Sequence, residues 1–79
     1  MKLPRDLSGD TLAAKLAVMG YTVTRQRGDH LRLTTTLRGE HHVTIPRHSP
    51  LKMGTLSAVL ADVAAHFELS REELLNKLF

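Results

Sequence analysis

The residues best suited to chemistry lie in one short polar stretch that contains Arg25, Arg27 and His30, with Arg32 two residues further on. An imidazole gains and loses a proton near neutral pH, so His30 can serve as a general acid or base. Guanidinium groups bind phosphate oxygens and stabilise charge that develops on them. Because RNA carries its own nucleophile, the 2′-hydroxyl, these residues predict that the chain binds RNA and cuts it without a metal ion.

The remaining candidate residues give weaker signals. The alternative role for His30 is that of a solvated strand histidine, and spacing alone leaves this open. Lys52 precedes a predicted helix N-terminus, which is a natural anion site, although a solvated loop lysine is the commoner case. His41 and His42 are adjacent in a predicted strand and therefore point to opposite faces. Adding His48 supplies no carboxylate or cysteine, so we expect neither a metal site nor a cofactor.

Composition limits the class of protein. The chain has 79 residues, a formal net charge of +3 and no cysteine. This length predicts one domain over residues 1–79, with a core over about residues 7–67. The basic bias suits an anionic partner, and the lack of cysteine suits the cytoplasm. No apolar run is long enough to cross a membrane, and the few aromatic residues disfavour RNA recognition by base stacking.

Apolar periodicity predicts three helices. Residues at spacings of three and four predict a first helix over about 9–19, with Ser8 as its N-cap and Gly20 at its C-terminal end. A longer stripe predicts a second helix that begins at about Gly54. A capping-box pattern predicts a short third helix over about 71–77. The expected core positions of the first two helices are Leu12, Leu16, Met19, Leu56, Val59, Leu60, Val63 and Phe67.

Three alternating segments predict an antiparallel sheet, with strands at about 21–26, 30–35 and 41–46. Gly28 supplies the positive φ that a tight reversal needs, and Asp29 tolerates turn geometry. Together with the helices, these strands predict an α+β fold. We expect a two-layer α-β-β-β-α sandwich with a three-stranded sheet and an extra C-terminal helix, in which one face of the sheet remains open.

The hairpin register follows from the buried pattern. A two-residue turn would mix polar and apolar residues on both faces, so we expect a loop over residues 27–29 instead. The expected cross-strand pairs are Gln26 with His30, Thr24 with Arg32, and Val23 with Leu33. Tyr21, Val23, Leu31 and Leu33 then share the buried face. The expected open face carries Thr24, Gln26, His30, Arg32, Thr34, His42 and Thr44.

Four sequence blocks together resemble a known family. An amphipathic helix ends at residues 20–21, the polar stretch 25–30 follows, and residues 43–48 read Val-Thr-Ile-Pro-Arg-His. Residues 52–56 read Lys-Met-Gly-Thr-Leu and open a helix. The order and spacing of these blocks, over roughly residues 7–63, resemble the HicA toxins, which are mRNA interferases of bacterial type II toxin–antitoxin pairs.

The resemblance implies a fold like the double-stranded-RNA-binding domain and an endoribonuclease that arrests translation. It also implies a HicB-type antitoxin as partner, which we expect to be acidic and to cover the open face. The family's catalytic histidine corresponds to His30, which would act as general acid and base. Gly28 and Asp29 would form the turn that positions it, and Asp29 stands where the family usually has serine. The RNA-binding residues would be Arg25, Arg27, Arg32 and Lys52.

The sequence leaves two further functions open. One is a non-catalytic RNA-binding module on the same fold, which would depend on the arginines and not on His30. The other is a degenerate toxin that retains only antitoxin binding, which would show no salt-dependent affinity for RNA.

Overall fold

The computed structural model describes residues 3–79. Met1 and Lys2, which the predicted domain range includes, lie outside the described residues. The predicted α+β fold with one three-stranded antiparallel sheet is confirmed. In chain order the elements are α1 (Gly9–Lys15), a 3₁₀ helix (Leu16–Met19), β1 (Thr22–Arg27), β2 (His30–Thr35), β3 (His41–Pro46), α2 (Met53–Phe67) and α3 (Arg71–Leu78).

The first helix has the predicted ends but changes its geometry on the way. Ser8 is the N-cap, and its hydroxyl oxygen accepts a hydrogen bond from the Thr11 amide at 3.1 Å. The α-helix ends at Lys15, and the last turn continues as the 3₁₀ helix up to Gly20, which has a φ of 81°. A 3₁₀ turn satisfies the carbonyl groups that a helix end otherwise leaves free, so the whole segment still packs as one element.

The helices cover one face of the sheet, in which β2 is the central strand. Leu31 pairs with Ile45 and Leu33 pairs with Val43, as predicted, and all four side chains are buried. The core side chains contributed by the helices include Leu12, Leu16, Leu56, Leu60, Val63 and Phe67. Among the described residues, no helix packs on the second face of the sheet, which gives the two layers that the apolar pattern predicted.

The edge strand β1 departs from the prediction because the helical layer does not extend over it. Every residue of β1 is exposed, and Val23 is 51% exposed although it pairs with the fully buried Leu33. The expectation that Val23 belongs to the core was therefore wrong. Tyr21, which immediately precedes this strand, is buried as predicted.

The C-terminal helix α3 packs back onto the domain. Ser70 and Glu73 form the predicted capping box, and the hydrogen bond from the Ser70 amide is the main cause that lowers the pKa of Glu73. The apolar side chains of α3 are buried, whereas Phe79 is 46% exposed. Of the helices in residues 3–79, none combines the length and apolar character needed to cross a membrane.

Gly9 allows α1 to approach the end of β3 closely, which yields a stability prediction. A Cβ atom at this position would collide with the carbonyl oxygen of Pro46. We expect Gly9→Ala to lower the free energy of unfolding by roughly 1–3 kcal/mol in urea titrations, because nearby backbone must move. The matched control is Gly54→Ala, since nothing lies within 4 Å of a Cβ there.

Gly54 lies inside α2, so its replacement by alanine should raise the free energy of unfolding by about 0.5–1 kcal/mol through helix propensity. A Gly9→Ala variant as stable as the wild type would contradict the close approach of Gly9 to the carbonyl group of Pro46.

Candidate functional site

A β-bulge in β1 determines which side chains share the open face of the sheet. Val23 pairs with Leu33, but the next pair along the ladder is Arg25 with Arg32, so Thr24 is an extra residue. Its hydroxyl donates to the carbonyl oxygen of Arg32 at 3.3 Å and lies 2.8 Å from the Thr34 hydroxyl oxygen. Hydrogen bonds to β2 therefore hold the bulge in place.

The bulge overturns part of the predicted register. Because it absorbs one residue, Gly28 and Asp29 form a two-residue turn instead of the expected three-residue loop. The observed pairs are Arg27 with His30, Gln26 with Leu31, and Arg25 with Arg32. The predicted pairs Gln26–His30 and Thr24–Arg32 were wrong, whereas Val23–Leu33 was right. The prediction failed because it assumed unbroken alternation along β1.

The new register exchanges side chains between the two faces. Gln26 leaves the open face, where we expected it, and lies opposite Leu31 on the other side. Arg25 and Arg27 take its place beside the central strand. Side chains of β1, β2 and β3 then line a shallow hollow of about 170 Å³, which we call the arginine hollow. Its lining residues are Arg25, Arg27, His30, Arg32 and Thr44.

The arginine hollow is strongly cationic. Arg25 of β1 and Arg32 of β2 lie directly opposite each other on adjacent strands, and like charges in this arrangement are destabilising. The ion pairs found among residues 3–79 leave Arg25, Arg27 and Arg32 without an acidic partner, whereas Arg38 and Arg47 each have one. A bound anion would relieve this repulsion, and a phosphate fits the forked donors of guanidinium groups.

His30 lies at the mouth of the arginine hollow, directly after the turn. Gly28 has a φ of 58°, which suits the first central position of a type II′ turn. The carbonyl oxygen of Asp29 accepts a hydrogen bond from the Arg47 amide at 2.6 Å, which ties the turn to the segment after β3. The His30 side chain is 58% exposed, and its Nδ1 lies 3.3 Å from an Asp29 carboxylate oxygen.

The same carboxylate of Asp29 contacts a second histidine. Its other oxygen lies 3.6 Å from Nε2 of His48, whose side chain is 51% exposed. Sequence reasoning considered His48 only as a metal ligand and missed this position. The antiparallel pairing of β2 with β3 could have indicated this position. Pro46 lies opposite His30, so the residues that follow β3 must pass close to the turn.

The other histidines have structural partners, and the predicted opposite orientation of His41 and His42 is observed. His41 accepts or donates a 2.6 Å hydrogen bond to the Tyr21 hydroxyl, contacts Asp62 at 3.1 Å and stacks on His66 at 4.4 Å between ring centroids. Burial, and then the charge of Asp62, raises the pKa of Tyr21 to about 12, so its phenol stays neutral. His42 lies on the open face, between Thr34 and Glu40.

Lys52 does not join the arginine hollow. It is the N-cap residue of α2, exposed and without a side-chain capping bond. A larger hollow of about 350 Å³ adjoins this region, but it is lined by one arginine, one aspartate and apolar residues and contains no histidine. Among residues 3–79, no three side chains of His, Cys, Asp or Glu are grouped to hold a metal ion.

Comparison with known proteins identifies one family. The family model described as "HicA toxin of bacterial toxin-antitoxin" matches residues 9–64, which is more than half of the chain. The match spans α1, the sheet and most of α2, and thus includes every residue that lines the arginine hollow. No curated protein and no solved structure matches the chain.

The turn that carries the site can be tested through Gly28. Nothing lies within 4 Å of a Cβ at this position, so the backbone conformation alone sets the cost of a side chain. We expect Gly28→Ala to lower the free energy of unfolding by about 1–2 kcal/mol, because alanine disfavours positive φ. Gly28→Asn should cost less, since asparagine tolerates this region. Equal losses in urea titrations of both variants would contradict the turn geometry.

Proposed function

Because the chain belongs to the HicA toxin family of bacterial toxin–antitoxin systems, we propose that it is an endoribonuclease that cleaves mRNA in the cytoplasm. The observation that carries this proposal is the arginine hollow, in which His30 lies beside three arginines that have no acidic partner within residues 3–79. The arginines suit an anionic backbone, and His30 suits a substrate that carries its own nucleophile. RNA has both properties, whereas DNA lacks the 2′-hydroxyl.

The proposed reaction begins with phosphate binding. Arg25, Arg27 and Arg32 approach one phosphodiester from two adjacent strands and stabilise the charge that develops on its oxygens. Nδ1 of His30 faces Asp29, and its Nε2 has no hydrogen-bond partner among residues 3–79. Nε2 is thus the atom available to remove the proton from the 2′-hydroxyl. The resulting 2′-oxygen attacks phosphorus and displaces the 5′-oxygen, so the products are a 2′,3′-cyclic phosphate and a strand that begins with a 5′-hydroxyl. This chemistry needs no metal ion or cofactor.

The role of His30 can be tested by comparing it with a second histidine on the open face. We expect His30→Ala to reduce RNA cleavage by roughly 10²-fold or more, the usual contribution of a general acid or base. His42→Gln should cleave at the wild-type rate, since His42 does not line the arginine hollow. Both side chains are at least partly exposed, so each variant should change the free energy of unfolding by less than about 0.5 kcal/mol.

The assay with purified protein should include a chelator, which we expect to leave the wild-type rate unchanged, and should identify the 2′,3′-cyclic phosphate by mass. A His30→Ala variant that cleaves normally would contradict this role, and activity lost in chelator and restored by a divalent ion would contradict the mechanism.

The arginines are expected to provide the phosphate contacts. Each arginine replaced by alanine should reduce the slope of log affinity against log salt by about 0.7 for single-stranded RNA. Arg71→Ala is the matched control, because it removes the same charge from α3, where Arg71 hydrogen-bonds Ser57. The measurement uses the inactive His30→Ala background. An unchanged slope in the variant lacking Arg25, Arg27 and Arg32 would move the RNA-binding surface elsewhere, with Lys52 as the next candidate.

A toxin of a toxin–antitoxin pair has a cognate antitoxin, and we propose that a HicB-type antitoxin covers the open face. The hollow is exposed, and its cationic side chains suit an acidic covering surface, which would also speed association. Such a protein would bury His30 and deny RNA access to it. The rival arrangement is binding to the helical face near Phe67 and Phe79, which would inhibit without occluding the site.

Amide hydrogen exchange in the complex distinguishes the two arrangements. Occlusion predicts slower exchange in β1 and in the turn at Gly28, where every β1 side chain is exposed in the free protein. Protection confined to α2 and α3, with the Gly28 turn still exchanging fast, would contradict occlusion. The free protein at the same concentration serves as the reference.

A further inference from the structure

One carboxylate lies between two imidazole rings beside the arginine hollow. The oxygens of Asp29 lie 3.3 Å from Nδ1 of His30 and 3.6 Å from Nε2 of His48. Both rings are more than half exposed, so an incoming RNA can reach either of them. His48 lies within the matched residues 9–64, but the proposed function assigns proton transfer to His30 alone.

The backbone fixes His48 at this position. The Arg47 amide donates to the carbonyl oxygen of Asp29 at 2.6 Å, and the Gly9 amide donates to the carbonyl oxygen of His48 at 3.0 Å. The Arg47 side chain is turned away by a two-pronged ion pair with Asp10, in which its nitrogens lie 2.9 and 3.2 Å from the carboxylate oxygens. His48 is thereby held between the turn and the start of α1, with its ring directed to Asp29.

Cleavage of RNA requires two proton transfers at opposite ends of the reacting phosphate. The attacking 2′-oxygen and the departing 5′-oxygen lie roughly in line through phosphorus. One imidazole cannot touch both oxygens at the same moment. His30 serves the 2′-oxygen in the proposed function, so the 5′-oxygen needs its own proton donor.

The side chains around the hollow offer one suitable donor. Arginine stays protonated at all working pH values and cannot release a proton to a leaving group. Thr44 carries a hydroxyl that is a poor acid, and Asp29 is already shared between the two rings. An imidazolium is an acid that works near neutral pH, and His48 is the second histidine at this edge of the hollow.

We propose that His48 is a second catalytic residue, the acid that protonates the departing 5′-oxygen, and that Asp29 positions it relative to His30. This inference rests on the proposed ribonuclease function. As His30 takes the 2′-hydroxyl proton, the new bond from the 2′-oxygen to phosphorus forms and the bond to the 5′-oxygen breaks. His48 gives its proton to that oxygen, which leaves as a hydroxyl. Exchange with water then returns both rings to their starting states.

The test compares two RNA oligonucleotides that differ in one atom of the scissile linkage. One has the natural 5′-oxygen, and the other has a bridging 5′-sulfur, which departs as a thiolate and needs no acid. We expect His48→Gln in the full chain to slow cleavage of the oxygen-linked RNA by roughly 10²-fold or more. It should cleave the sulfur-linked RNA near the wild-type rate. The control His42→Gln should cleave both RNAs like the wild type.

The dependence of the rate on pH gives an independent readout. An acid must be protonated to act, so its contribution falls as pH rises, and the wild-type profile should be bell-shaped. His48→Gln should lose the decline on the alkaline side. Every variant retains the charged groups near the two rings. These are Asp29, which contacts both rings, and Arg25, Arg27 and Arg32, which line the hollow with His30. The ion pair between Asp10 and Arg47 lies next to His48 in the chain.

The outcomes are separable. Preserved cleavage of the sulfur-linked RNA by His48→Gln, with the oxygen-linked RNA slowed, supports the acid role. Equal slowing of both RNAs, or no slowing of either, overturns it while the wild-type activity leaves the ribonuclease function intact. A wild-type protein that cleaves neither RNA would contradict the ribonuclease function itself, and the acid role with it.

Discussion

The candidate site depends on a single extra residue in an edge strand. Without the bulge at Thr24, strict alternation from Val23 would put Arg25 and Arg27 on the face of the sheet that packs against the helices. The bulge instead leaves Val23 opposite Leu33 while it places Arg25 and Arg27 beside His30. At its start, β1 thus pairs Val23 with the buried Leu33, and at its end it contributes Arg25 and Arg27 to the cationic open face. Thr24 forms hydrogen bonds that keep this arrangement rigid.

The helices and the segment after β3 keep the strands of the site in place. The apolar face of β2 and β3 packs against the helices, so the central strand that carries His30 and Arg32 cannot slip. Beyond β3, the chain returns to the turn through the bond between the Arg47 amide and Asp29. The site is therefore built on strands and a clamped turn, which hold catalytic geometry better than mobile loops do.

The sequence predicted the elements well and the site only in part. The helix stripes, the Ser8 cap, the Ser70–Glu73 capping box and the pairing of β2 with β3 all follow from local rules, and the structure agrees with them. The bulge does not follow, because nothing in Thr-Val-Thr-Arg marks an extra residue, and assuming plain alternation misplaced Gln26. The contact of His48 with Asp29 is a consequence of tertiary pairing, which local patterns cannot show.

If the cationic face that the bulge creates binds an RNA backbone, RNA must perturb the hairpin and leave α3 unchanged. The most direct test is a titration of the isotope-labelled protein with a single-stranded RNA blocked by 2′-O-methyl groups, followed by amide chemical shifts. We expect the largest chemical-shift changes at residues 24–32 and at Thr44, and no change at the amides of α3. Shifts centred on α2 and α3, with the hairpin unaffected, would contradict it.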